Sequence, residues 1–284
     1  MGVPYAEVIG DPVAHSKSPL IHQFWLEKLG VVGEYRRTQV TADELPLYLA
    51  ARRLDPDWRG CNLTMPLKQA AIPFLSALDP AAARIGAVNT IVAEGAAPET
   101  GFNTDAAGFL EPLQPLLGER HLFRMARLLG AGGAARAIAE ALKSEGFALV
   151  IAARRVEEAA RLVDGLDPHF NHAVTLGHFA DPTDFTFDDR EQILDLVVNT
   201  TPLGMTGKPP LSLDFSHVPP GSVIYDIVYD PLETPLLAEA RRRGHRVIDG
   251  LAMLIGQAAI AFRHFFGTPA PRGHDAELRE LLIR

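Results

Sequence analysis

The stretch "RLLGAGGAARAIAEAL" constrains this chain more than any other. It runs from an apolar, strand-like segment through Gly130, Ala131, Gly132, Gly133 and Ala134 into a helical pattern of small and apolar residues. Glycines at such a turn let the backbone approach a pyrophosphate closely, while the helix N-terminus directs its free N–H groups at the negative charge. Side chains at those positions would block the approach. Strand-to-helix turns also use glycine for local reasons, but the combination of strand, turn and helix points to dinucleotide binding.

Around this loop, strand-like and helical runs alternate. "YAEVIG", the helix candidate "PLIHQFWLEKLG", "EYRRTQV", the helix candidate "ADELPLYLAARRL", "GCNLTMPLKQAA" and "AVNTIVAEG" come first. A second series follows with "RMARLLGAGG", "ALVIAARRVEEAARLVDGL", "ILDLVVNTTPLGM" and "SVIYDIVYDP". Alternation of this kind implies βαβ units and mainly parallel sheets with helices on their faces. "EGAAPETG" reads as a turn between two strands, and the stretch before "ILDLVV" reads as irregular. The expected architecture is two α/β domains. A substrate-binding and catalytic domain spans 1–104 and is completed by helices in 250–284, which pack back on it. A Rossmann-type dinucleotide-binding domain spans 105–249.

At 284 residues, both domains can bury a core of their own. A formal charge of −8 argues against nucleic acid or an anionic membrane surface as the main partner. Cys61 is the only cysteine, so no intramolecular disulfide can form and a cytoplasmic setting is the simplest expectation. The N-terminus lacks a signal-peptide pattern, and no apolar run is long enough to cross a bilayer.

Several residues carry candidate chemistry. In "HSKSP", Ser16, Lys17 and Ser18 precede a helical run; a serine there can cap the helix or help bind an anion, and Pro19 suits the first turn. In "NLTMPLK", Thr64 is a candidate N-cap and Lys68 lies one turn in. A cation near a helix N-terminus is electrostatically misplaced, which eases loss of its proton and suits acid–base work. Asp105 in "GFNTDAAGF" falls at the domain boundary, with Asn103 and Thr104 as competing caps for the next helix. After the second strand of the glycine-loop domain stand Arg154 and Arg155, where an NAD site would place an acid; a guanidinium fork suits a 2′-phosphate and favours NADP.

Together these segments resemble the shikimate dehydrogenase family, whose members reduce 3-dehydroshikimate reversibly with NADPH. The resemblance rests on "HSKSP", "NLTMPLK", "GAVNTI", "GFNTDAAGF", "GAGGAARA", "NTTPLGM", "YDIVYDPLETPLL" and "DGLAMLIGQAAIAF", in that order along nearly the whole chain. It implies that Ser16 and Ser18 bind the substrate carboxylate. It also implies that Thr64, Asn89, Asp105 and Gln257 bond the ring hydroxyls, with Lys68 and Asp105 as the catalytic pair. Tyr229 would close over the substrate, and Thr201 to Met205, Gly250 and Met253 would line the nicotinamide. The expected partner is a small molecule, a shikimate-like cyclic hydroxy acid, bound by a monomer or homodimer, with neither nucleic acid nor membrane involved.

One departure from the family pattern concerns the cofactor. The usual Asn-Arg-Thr after the second strand reads Ala153, Arg154, Arg155 here, and a further arginine is replaced by Glu158. NADP is expected, with NAD possible. Quinate or aminoshikimate dehydrogenases share the scaffold, and a non-catalytic dinucleotide-binding regulator is the rival outside enzymology. His169, His172 and His178 raise a metalloenzyme as another alternative, but no carboxylate or cysteine set accompanies them.

Overall fold

The structure is a computed structural model that describes residues 2–94, 97–187 and 190–284. It divides into two compact units, one formed by Met1–Gly108 with Leu254–Arg284 and the other by Phe109–Met253.

The first unit opens with β1 (Tyr5–Gly10), α1 (Ser18–Leu29), β2 (Glu34–Gln39), α2 (Leu45–Arg52), β3 (Trp58–Leu63) and α3 (Leu67–Ala70). It continues with β4 (Ala77–Leu78), α4 (Pro80–Ile85), β5 (Thr90–Glu94), β6 (Ala97–Phe102) and α5 (Asp105–Leu110). Its six-stranded sheet has the order β2-β1-β3-β5-β6-β4. β1 pairs in parallel with β2 and β3, and β4 with β6, whereas β5 runs antiparallel to both neighbours. That antiparallel strand was not expected from the sequence, where "AVNTIVAEG" carries the same apolar signal in either direction. Most of "EGAAPETG" belongs to β6 rather than to a turn, and residues 95–96 lie outside the described residues.

Every residue of β1 is buried, as a central strand covered on both faces should be. Burial extends to Glu7, whose carboxylate accepts from Arg52 Nε at 2.7 Å and from the Thr38 hydroxyl. A charge removed from water requires such partners. α1 carries Pro19 in its first turn, buries Ile21, His22, Trp25 and Leu26, and stops at Gly30 in the left-handed region. The sequence suggested that α2 would begin earlier, but Thr41 donates to the Glu44 carboxylate from both N–H and hydroxyl, holding 42–44 as a turn.

The second unit comprises α6 (Gln114–Leu117), β7 (Phe123–Leu129), α7 (Gly133–Ser144), β8 (Ala148–Ala153), α8 (Val156–Val163) and β9 (His172–Thr175). It goes on through α9 (Leu176–Ala180), β10 (Ile193–Asn199), β11 (Val223–Asp226), α10 (Pro235–Arg242) and β12 (Arg246–Ile248). All its strand pairs are parallel, in the order β12-β11-β10-β7-β8-β9. This is the doubly wound arrangement, in which chain direction across the sheet reverses between β7 and β10. β9 and α9 fall in the stretch that reads as irregular in sequence.

The chain ends in α11 (Gly250–Phe266) and α12 (Asp275–Ile283). From residue 254 onward it belongs to the first unit. Phe262 and Phe265 of α11 lie near His22 of α1, at ring-centroid distances of 5.8 and 6.1 Å. No helix among the described residues is long and apolar enough to cross a membrane.

Candidate active site

The strand directions of the first unit bring its candidate residues to one end of the sheet. β1, β3 and β6 end there, and the antiparallel β5 begins there, so the segments after Gly10, Leu63 and Phe102 and before Thr90 converge. Lys68, Asn89, Thr104 and Asp105 all sit on those segments.

At the centre, Lys68 Nζ donates to Asp105 Oδ2 at 2.5 Å. The lysine side chain is 18% exposed and the aspartate side chain 6%, so the lysine is the more accessible partner of a largely buried pair. Asn89 Nδ2 donates to the other carboxylate oxygen, Asp105 Oδ1, at 2.8 Å. Gln257 of α11 enters the same cluster, its Oε1 accepting from the Thr104 hydroxyl at 3.4 Å and from Asn89 Nδ2 at 3.5 Å. A carboxylate fixed by two donors and a partly exposed lysine can hold and move a proton at the lysine nitrogen.

Why Asp105 is free for this work follows from its neighbours. Asn103 Oδ1 accepts from the Asp105 N–H at 3.1 Å and its Nδ2 donates to Ala87 O at 2.9 Å, so Asn103 performs the capping of α5. The Asp105 carboxylate, released from that duty, turns to Lys68. Thr64 does not cap α3. That helix is four residues long with Pro66 at its N-cap position, and the Leu67 N–H bonds the Thr64 carbonyl instead. So short a helix has little dipole, and the position of Lys68 rests on Asp105 rather than on a helix terminus.

The opening of α1 resolves into separate roles. Lys17 is its N-cap residue and Ser18 its first, with Ser16 Oγ accepting from the Ser18 N–H at 3.3 Å. Lys17 Nζ donates to the carbonyl of Leu282, in the last turn of α12, where a cation is favoured. Ser18 is buried and Ser16 half-buried, and Thr64 is half-buried on the segment after β3.

In the second unit, Gly130 follows β7 with φ +119°, a conformation L side chains rarely adopt. A Cβ there would meet Thr200 Oγ1 at 2.3 Å, so the glycine permits close approach of β7 and β10 at the point where the sheet order reverses. Gly132 differs, since a Cβ on it would meet nothing within 4 Å. No side chain caps α7 at that residue, and Gly133 and Ala134 open the helix. Together with Ala131, this cradle fits a pyrophosphate. Arg154 and Arg155, both exposed, follow β8, where the ribose of a dinucleotide would lie. Arg155 is paired with Glu158 on the first turn of α8, the residue that departs from the expected arginine.

Behind the cradle, Asn199 at the end of β10 organises the following loop. Its Oδ1 accepts from the Thr201 N–H and hydroxyl at 3.0 and 2.7 Å, and its Nδ2 donates to Asp226 Oδ1 at 2.9 Å. Burial pushes the Asp226 carboxyl up to about 6, against hydrogen bonds from Thr234, the Val228 N–H and Asn199 that hold it down. Met205 lies on the same loop, half-buried, and Tyr229 on the loop after β11. Gly250 begins α11 so close to the preceding backbone that a Cβ would lie 2.4 Å from Ile227 O; Met253 is buried one turn later. His169, His172 and His178 are exposed, and among the described residues no group of three or more His, Cys, Asp or Glu side chains could hold a metal.

Sequence reasoning passed over Gly108. A Cβ there would lie 2.5 Å from the Gln257 N, so this glycine lets α5 and α11 approach closely enough for Gln257 to reach Thr104 and Asn89. "DAAGF" carries a glycine inside a helical pattern, which is the signal of close backbone approach.

Residues 8–91 match the family model described as shikimate dehydrogenase substrate binding domain, and residues 250–276 match that described as shikimate 5′-dehydrogenase C-terminal domain. The chain is 48% identical to a shikimate dehydrogenase (NADP(+)) of Sphingopyxis alaskensis, over 99% of this chain and 97% of that one. It is 42% identical to a protein of the same name from Methylobacterium radiotolerans, over 100% and 98%. Among solved structures, the shikimate 5-dehydrogenase of Thermus thermophilus, in complex with NADP(H) and shikimate, superposes with a TM-score of 0.82 at 37% identity, over 98% of this chain and 99% of that one.

Proposed function

Because this chain belongs to the shikimate dehydrogenase family, we propose that it catalyses the reversible NADPH-dependent reduction of 3-dehydroshikimate to shikimate, with Lys68 and Asp105 as its proton-transfer pair. The observation that carries the assignment of roles is the 2.5 Å contact between Lys68 Nζ and Asp105 Oδ2. It lies at the end of the sheet where the segments after β1, β3 and β6 and before β5 meet.

When bound, NADPH supplies the hydride to the ring ketone. Lys68 donates its proton to the developing alkoxide, and its ammonium stabilises that negative charge as it forms. Asp105 holds the lysine, while Asn89 and Gln257 fix the surrounding amides so that donors and acceptors are already oriented. Ser16 and Ser18 receive the substrate carboxylate, and Thr64, Asn89, Asp105 and Gln257 the ring hydroxyls. Recognition by buried polar groups rejects an analogue lacking a hydroxyl, because protein groups would be left unpaired.

Residues 1–104 with 250–284 form the substrate-binding and catalytic part, and 105–249 hold NADP. In the latter, Gly130 to Ala134 cradle the pyrophosphate, and Arg154 with Arg155 face the 2′-phosphate. Thr201, Met205, Gly250 and Met253 line the nicotinamide, and Tyr229 covers the substrate. The protein works in the cytoplasm as a monomer or homodimer. A single buried thiol, Cys61, suits a reducing compartment.

Purified protein supplied with shikimate or quinate, each with NADP or NAD, tests the reading by the appearance of reduced nicotinamide. Turnover fastest with shikimate and NADP is expected. Turnover with quinate alone would keep the mechanism and replace the substrate, a preference for NAD would remove the roles given to Arg154 and Arg155, and inactivity in all four pairings would contradict the assignment.

A further inference from the structure

Behind the Lys68–Asp105 pair runs a chain of buried polar side chains in which each group has a determined orientation. Asp105, as a carboxylate, only accepts, so Asn89 must turn its Nδ2 toward it. The Thr104 backbone N–H only donates, and it reaches Asn89 Oδ1 at 2.8 Å. Thr90, the first residue of β5 and fully buried, donates its one hydroxyl proton to the same Asn89 Oδ1 at 2.9 Å. Its oxygen then accepts from Asn62 Nδ2, also at 2.9 Å. Asn62 sits directly opposite Thr90 in the antiparallel pair of β3 and β5, and its Oδ1 accepts from the Tyr35 hydroxyl at 2.5 Å. A single donor direction therefore runs from Tyr35 through Asn62, Thr90 and Asn89 to Asp105.

We propose that Thr90 is a positioning residue for proton transfer: its hydroxyl, with Asn62 and Tyr35 behind it, holds Asn89 in the one amide orientation that donates to Asp105. If Asn89 flipped, its carbonyl would face the carboxylate and its amino group would face the Thr104 N–H. The Thr104 N–H opposes that flip from the segment between β6 and α5. The Thr90 hydroxyl opposes it from a strand pinned on both sides, and satisfied buried networks of this kind fix one arrangement. This inference rests on the reading of Lys68 and Asp105 as the proton-transfer pair.

The test compares Thr90→Val, which keeps the shape and removes the hydroxyl, with Thr90→Ser, which keeps the hydroxyl. Loss of one oriented hydrogen bond predicts a kcat for shikimate oxidation about three- to tenfold lower in Thr90→Val, with the KM for NADP unchanged and kcat restored in Thr90→Ser. An unchanged kcat in Thr90→Val would overturn the proposal, and so would an equal loss in Thr90→Ser, which would mark the side chain as packing only. If Thr90→Val does not fold, Tyr35→Phe carries the test: a smaller loss in kcat at constant KM for NADP is expected, and wild-type kcat overturns the proposal. A full rate in Lys68→Ala would instead sink the underlying pair, so the two failures are distinguishable.

Discussion

A single buried side chain gives the first unit a dependence on pH. His22 on α1 is fully buried, stacks on Tyr35 at a centroid distance of 3.9 Å, and has no hydrogen-bond partner for either ring nitrogen among the described residues. Burial pushes its pKa down to about 3 from the ordinary 6.5. Between those values the unfolded chain binds a proton that the folded chain refuses. Stability is therefore complete above pH 6.5 and falls as the pH is lowered toward 3, by up to about 1.4 kcal/mol per pH unit. Replacing His22 with leucine removes this term, so between pH 7 and pH 5 the variant should lose about 2 kcal/mol less stability than the parent. Urea unfolding followed by tryptophan emission measures this directly, because the chain's two tryptophans, Trp25 and Trp58, both lie in the first unit. An identical loss in parent and variant would show that His22 is protonated without penalty.

At the scale of elements, the turn from β7 into α7 separates two reasons for a glycine. Gly130→Ala places a Cβ against Thr200 at φ +119°, and should destabilise the second unit by about 1–3 kcal/mol. Gly132→Ala has φ −78° and open space, so it should fold with an unchanged melting temperature while binding NADP at least about tenfold more weakly, measured by nicotinamide fluorescence. Normal affinity in Gly132→Ala would remove the cradle reading. The same turn shows what the sequence made legible. An apolar run, glycines and a small-residue helix occur consecutively, so local pattern alone located the strand–turn–helix unit of β7 and α7 and the mostly parallel sheets. The antiparallel direction of β5 was not legible, because apolar runs do not encode pairing partners. Nor was the exchange of roles between Asn103 and Asp105: both can cap α5, and only the position of Lys68, 37 residues earlier in the chain, decides which carboxyl or amide is left over. Lys17 was likewise visible as a cation beside two serines, but its partner, the Leu282 carbonyl, lies 265 residues away.

Across the whole molecule, the proposed reaction divides its labour between the two units. Lys68 and Asp105 belong to the first, whereas the glycine cradle, Arg154 and Arg155 belong to the second. A change confined to the proton-transfer pair should therefore leave cofactor binding untouched. The most direct measurement is turnover of shikimate with NADP by Lys68→Ala, paired with NADPH affinity by fluorescence titration on the same sample. The account predicts a kcat lower by about 10²- to 10⁴-fold with the parent's affinity for NADPH. Turnover within a fewfold of the parent would contradict it, because the proton would then have to come from a group other than Lys68.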